Sequence, residues 1–314
     1  MSDSSPSILP GVHSINHFVL SVPDLDEAAH FYTAFGLRVE RRDGRIDLYC
    51  VGSPHRWGSV HAGAGHKKLQ YVSLGIAAED VAEMAGRIAR NGLATEPHPL
   101  SDGAGLWLCG PGDMVFQLLV SPKVSPDSKP AAVPRQAAPA GRGEAPSRRQ
   151  VAQVHPRRLS HLLFFCSDVA LMIRFAEDIL GLRLSDCSGD VVAFLHGCHG
   201  SEHHLLAFAK SSGTGLHHSS WDVGNIDEVG CGAEQMRTAG YKAGWGVGRH
   251  VLGSNYFYYV RDPWGSYAEY SHDMDFIPRG TVWRGADNPP EDSLYVWGPD
   301  VPAEFFINHE HKTA

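Results

Sequence analysis

No stretch of the 314 residues approaches the roughly 20 consecutive apolar positions that a bilayer-spanning helix requires, so a helical membrane protein is excluded. Basic charge is scarce. Twenty-seven Lys and Arg against 35 Asp and Glu give a formal net charge of −8, which leaves no counterion-releasing surface for nucleic acid or an acidic membrane. Cysteine is sparse: Cys50, Cys109, Cys166, Cys187, Cys198 and Cys231 are scattered, with no Cys-x-x-Cys pair. That excludes a zinc cluster or a disulfide framework and predicts six free thiols. The opening residues 1–11 carry Ser, Asp and Pro but no apolar core of a secretory signal, so a cytoplasmic protein is expected. Histidine, in contrast, is abundant: nineteen residues, including the pairs His203-His204 and His217-His218.

The length fits two domains. Residues 121–158 hold seven Pro, seven Ala, eight Lys or Arg, two acidic residues and no aromatic ring. Such a segment buries too little apolar surface to offset its ordering entropy, so it reads as a linker, free or laid along an acidic surface. Removing its net +6 leaves −14 on the remainder. The expected organisation is an N-terminal domain 1–120, this linker, a C-terminal domain 159–282 and a tail 283–314.

The flanking halves repeat each other. Ile15-Asn16-His17-Phe18-Val19-Leu20 and Leu159-Ser160-His161-Leu162-Leu163-Phe164 are both β-runs, each with an aspartate seven residues after the histidine, then a helical stretch and Gly-Leu-Arg. A second strand and helix cycle follows inside each half, at 69–120 and 216–271. The pattern predicts an α+β fold of four β-α-β-β-β modules, paired into two partly open mixed β-barrels with the helices outside.

In the C-terminal half, His161, His218 and Glu269 fall on three separate strands where inward-facing residues belong. Each alone is also what an individually hydrogen-bonded core residue looks like. Glu269, however, lies in Ser266-Tyr267-Ala268-Glu269-Tyr270, and an unpaired carboxylate among such neighbours costs several kcal/mol, so a cation is expected beside it. Two imidazoles and a carboxylate suit Fe(II), Mn(II) or Zn(II) and leave a face of the ion open.

The segment Gly248-Arg249-His250 through Tyr258-Tyr259, Asp262-Pro263 and Gly265 to Glu269 resembles the signature of the type I extradiol ring-cleavage dioxygenases, in the vicinal oxygen chelate superfamily. The resemblance spans about 15–275. One position departs: Tyr258 stands where the family has an aliphatic residue or Phe. The resemblance implies a catechol substrate, O2, Fe(II) with Mn(II) as the alternative, and a homo-oligomer. By motif it implies His161, His218 and Glu269 as metal ligands, His204 as the acid–base histidine, and His250 and Tyr259 as donors to the substrate hydroxyls. Because adjacent strand residues point to opposite faces, His203 and His217 are read as solvent-facing or intersheet. Aligning the repeats sets His17, Tyr71 and Gln117 opposite the three ligands, a set that binds divalent metal poorly, so one metal per chain is expected.

Leu163, Phe194 and the loop 197–201 are expected to border the pocket. The long linker and the tail segment Asp292-Ser293-Leu294-Tyr295-Val296-Trp297 point to a monocyclic, polyhydroxylated ring, with a layout similar to oxygenases of trihydroxytoluene. Dihydroxybiphenyl and homoprotocatechuate remain open. The tail, with Trp297, Phe305 and Phe306, is expected to cover the active-site mouth or pack on a neighbour. Two rivals share the module: a glyoxalase-like isomerase or thiol transferase, and a non-catalytic binder of aromatic compounds.

Overall fold

The structure is a computed structural model describing residues 9–134, 138 and 140–311; most of the opening stretch, four linker positions and the last three residues lie outside the described residues. In the first half, β1 (Ser14–Val22) leads to α1 (Leu25–Ala34), β2 (Arg38–Arg42), β3 (Arg45–Tyr49) and β4 (Arg56–Ala62); β5 (Lys68–Ile76) leads to α2 (Val81–Arg90), β6 (Leu106–Cys109) and β7 (Val115–Val120). In the second, β8 (Arg158–Cys166) leads to α3 (Val169–Asp178), β9 (Leu182–Ser188), β10 (Val192–Gly197), β11 (Ser201–Glu202) and β12 (Leu206–Lys210). Then follow β13 (Gly215–Asp222), α4 (Ile226–Thr238), β14 (Gly244–Arg249), β15 (Tyr256–Arg261), β16 (Tyr267–His272) and β17 (Phe276–Ile277).

The fold is α+β, with two mixed open sheets ordered β2-β3-β4-β1-β5-β7-β6 and β14-β15-β16-β13-β8-β12-β10-β9. Exchanging each strand for its repeat partner converts one order into the other, except that β14 has no counterpart. The module pattern is therefore one strand short in the first half. At the vacant edge only Ala94 bridges to Leu108. The intervening chain carries Pro97 and Pro99, which cannot donate to a ladder, and glycines at positive φ, Gly103 (80°) and Gly105 (79°).

The repeated aspartates are helix caps. Asp24 accepts from the amides of Asp26 and Glu27 at 2.9 and 3.0 Å, and Asp168 from Leu171 at 2.8 Å. The repeated glycines follow those helices at φ 96° (Gly36) and 71° (Gly181), the left-handed turn that ends a helix and that residues with a Cβ resist.

Along β8 the faces alternate. Leu162, Phe164 and Cys166 enter the main core, while His161, Leu163 and Phe165 face the other way. The main core joins both sheets: α1 and α3 lie between them, Phe35 stacking on Tyr270 at 4.0 Å and Phe116 meeting Phe175 at 5.4 Å between ring centroids. Described parts of the basic 121–158 segment lie against the second half, where Lys129 meets Asp273 at 2.8 Å, Arg157 meets Asp222 at 2.7 Å and Arg148 pairs with Glu234. All six cysteines are free, and no described helix is long and apolar enough to cross a membrane.

Candidate metal centre and active site

Three neighbouring strands carry the three candidate ligands. His161 on β8 and Glu269 on β16 both pair in register with Ser220 of the intervening β13, and His218 stands two positions before Ser220 on the same strand. Their side chains meet: His161 Nε2 lies 3.1 Å from His218 Nε2 and 3.3 Å from Glu269 Oε2, and His218 Nε2 lies 3.6 Å from the same oxygen. All three are buried.

The residues fit a divalent ion on two counts. Ligands at about 2.0–2.2 Å from an ion and at right angles to each other sit about 3 Å apart, close to the spacing found. Furthermore, Glu269 is completely buried; Asn255 Nδ2 donates to Oε1 at 3.2 Å, but Oε2 has no hydrogen-bond partner. A buried carboxylate with one bare oxygen calls for a cation or a proton there, and two imidazole nitrogens beside it complete a set of cation ligands.

The other expected residues surround this cluster. Tyr259 pairs in register with Glu269, and its hydroxyl donates to His250 Nε2 at 2.9 Å, while His250 Nδ1 donates to the Leu294 carbonyl at 2.7 Å. Burial, with Glu269 nearby, raises the Tyr259 hydroxyl well above its ordinary pKa, so it stays a donor. His204 packs on His161 with ring centroids 4.1 Å apart, and burial holds it well below the ordinary imidazole pKa, hence neutral. Leu163 and Phe194 both line the cavity of about 60 Å³ at the cluster.

Two readings of the histidine pairs need correction. His217 is buried and shares the inner face with His218: the pairing of β13 slips between Leu216 and His218, and this bulge suspends the strand alternation. Its Nδ1 lies 2.7 Å from His218 Nδ1. His203 is also buried rather than solvent-facing, because the pair sits in the loop between β11 and β12, where strand phase does not apply. His203 Nε2 bonds Asp186 Oδ2 at 2.7 Å, and its Nδ1 lies 3.0 Å from His204 Nδ1.

Sequence reasoning missed Asp186, Asn255 and Trp245, whereas the tail aromatics were expected at the active-site mouth or on a neighbour. The tail brings Phe305 onto the inner face against Trp245 (4.8 Å), Tyr259 (5.0 Å) and His217 (4.7 Å). In the first half, His17, Tyr71 and Gln117 line a larger cavity of about 310 Å³. There His17 Nε2 is 3.5 Å from the Tyr71 hydroxyl, while the Gln117 amide is turned to the Ala104 carbonyl at 2.8 Å.

A duplicated module with two imidazoles and a carboxylate on adjacent strands defines a metal-centred member of the vicinal oxygen chelate class. The chain belongs to the glyoxalase/bleomycin resistance protein/dioxygenase superfamily, whose pattern it matches over residues 14–106 and 158–270. It is 48% identical over 301 residues to metapyrocatechase 2 of Cupriavidus necator, covering 95% of this chain and 93% of that protein. Solved structures of the same fold include a Mn(II)-bound glyoxalase from Novosphingobium aromaticivorans (TM-score 0.73, 21% identity, 94% of each chain). Another is the 2,2',3-trihydroxybiphenyl 1,2-dioxygenase of Sphingomonas wittichii (TM-score 0.70, 18% identity, 93% of this chain and 100% of that one).

Proposed function

We propose that this chain is an extradiol dioxygenase that opens the ring of a monocyclic catechol or trihydroxylated aromatic beside its diol, using O2 and Fe(II) held by His161, His218 and Glu269. The enzyme class rests on the extensive identity to metapyrocatechase 2. The observation that carries the site is the bare, fully buried Glu269 Oε2 facing two imidazole nitrogens. When bound, the ion would supply Lewis acidity toward the diol oxygens and a redox couple that engages O2.

The chain's own residues do the rest. Phe194, Leu163, Trp245 and Phe305 form apolar walls that hold one ring and exclude water. Tyr259, protonated through burial, and His250, anchored on Leu294, orient the substrate oxygens. His204, neutral at rest, accepts a substrate proton and returns it to an oxygen of the opened ring. Residues 159–282 thus form the catalytic domain. Residues 1–120 act as its structural partner, since His17, Tyr71 and Gln117 lack the carboxylate. The exposed tail side chains Val296, Trp297, Phe306 and Ile307 support a homo-oligomeric assembly through that segment.

Anaerobic loading with Fe(II), then O2 uptake with a panel of catechols, tests the reading. One O2 consumed per ring and a yellow ring-opened product are expected. Glutathione-dependent isomerisation, or tight binding with no O2 uptake, would replace it with one of the rival activities. Parallel loading with Mn(II) decides the metal.

A further inference from the structure

We propose that Asp186 and His203 are positioning residues that set the tautomer and orientation of His204, making the acid–base group of this enzyme a three-residue chain. The proposal takes the role of His204 from the dioxygenase reading, but its geometry stands apart from it.

The chain is continuous: Asp186 Oδ2 to His203 Nε2 is 2.7 Å, and His203 Nδ1 to His204 Nδ1 is 3.0 Å. Asp186 is fixed by two further donors, the Ala286 amide at 2.6 Å to Oδ1 and Trp283 Nε1 at 3.3 Å to Oδ2. All its donors favour the carboxylate form. His203 is clamped through its backbone, its amide donating to the Asp275 carbonyl at 2.7 Å and its carbonyl accepting from Ser185 Oγ at 2.5 Å. The backbone that carries the ring is thereby fixed, and the ring itself is held between Asp186 and His204.

Proton placement follows from counting. A carboxylate only accepts, so His203 carries its proton on Nε2 and offers a lone pair at Nδ1. His204 must then carry its own proton on Nδ1 to make the 3.0 Å contact. That leaves its Nε2 bare, and His204 lines the cavity at the metal cluster. The bare nitrogen is the one that can take a substrate hydroxyl proton, the electron pair of the O–H bond staying on the substrate oxygen. The proton leaves again to an oxygen of the ring-opened product, so none is gained or lost over the cycle. Without Asp186, His203 is free to present an N–H to His204, which would force the His204 proton onto Nε2 and block the base.

Two measurements on the full chain test this. First, nitrogen-15 NMR of histidine in the metal-free protein should show His204 protonated at Nδ1 and bare at Nε2. Asp186→Asn, whose amide can donate to His203, should move that proton to Nε2. A His204 that is bare at Nδ1 in the wild type overturns the proposal whatever the activity. Second, in metal-loaded enzyme His203→Phe and Asp186→Asn should each lower kcat about 10–100-fold with KM and metal content within about twofold. His203→Gln, whose amide can both accept and donate, should recover most of the loss. In a His204→Phe background the same substitutions should change nothing further. Equal losses in both backgrounds would make the two residues merely structural and end the proposal. A wild type that cleaves no catechol would defeat the dioxygenase reading instead, leaving the NMR result to stand.

Discussion

Asn255 and Glu269 divide one carboxylate between two tasks: the amide occupies Oε1 at 3.2 Å, and Oε2 is left to His161 and His218. Asn255 is itself held by Ser271 Oγ at 2.9 Å, so the carboxylate plane is fixed from the same strand that carries it. Asn255→Leu should therefore weaken Fe(II) or Mn(II) binding about 10–100-fold, measured by calorimetry, while folding is kept. Glu269→Gln should abolish the rise in Tm on adding metal. After chelation that variant should melt at or above the wild type, because it no longer buries an unpaired anion. Metal-induced stabilisation of Glu269→Gln equal to that of the wild type would remove this carboxylate from the ligand set.

His17, at the corresponding place in the first half, is a neutral buried imidazole. Burial, then Arg56, His55 and Arg45, push its pKa down to about 3 from the ordinary 6.5. With the folded value depressed, the unfolded chain binds the proton first, so the stability His17 contributes is present above about pH 6.5 and is lost as pH falls toward 3. His17→Gln should flatten the fall of Tm with acid across that window while metal content and turnover stay level. An unchanged acid slope would contradict the burial argument.

Lys67 and Asp262 form an ion pair with both side chains 3% exposed. Asp262 also caps the turn before β16 through the amides of Trp264 (2.9 Å) and Ser266 (3.1 Å). The pair thus ties the first half to the approach of the Glu269 strand. Lys67→Met should cost about 3–5 kcal/mol in denaturant unfolding, since it strands a buried carboxylate. A loss below about 1 kcal/mol would mean that solvent reaches Asp262.

Phe305 touches Trp245, Tyr259, Tyr267 and His217. Phe305→Ala should raise KM for the catechol about tenfold with a smaller effect on kcat, the mark of lost uniform binding. Truncation after Arg279 removes Phe305 together with Trp283 and Ala286, both donors to Asp186. That truncation should therefore depress kcat as well; a change in neither constant would exclude the tail from the site.

Much of this is legible in the amino-acid sequence. Strand phase around His161 and Glu269 follows from alternation, and the repeat at His17 and His161 dictated one sheet order used twice. Alternation failed where the backbone left its register. At His217 a one-residue slip turned a side chain through the sheet, and nothing in Leu216-His217-His218 announces a bulge. The strand absent before β6 was not anticipated, although Pro97 and Pro99, with no amide proton to donate, stand where the second module would need it. Asp186 and Asn255 were invisible for a different reason: each is one polar residue whose importance comes only from what lies across the fold.

The stack of Phe35 on Tyr270, with the Tyr270 hydroxyl on the Phe35 carbonyl at 2.9 Å, has a consequence for how such a duplicated protein can evolve. Tyr270 is the immediate successor of Glu269, so the half without a ligand set braces the very strand that supplies the anion. On the proposed assignment of the metal to the second half alone, the first half serves its sibling as scaffolding through this stack. A change in that aromatic back wall would reach the strand carrying Glu269 directly, because Phe35 touches the residue next to it.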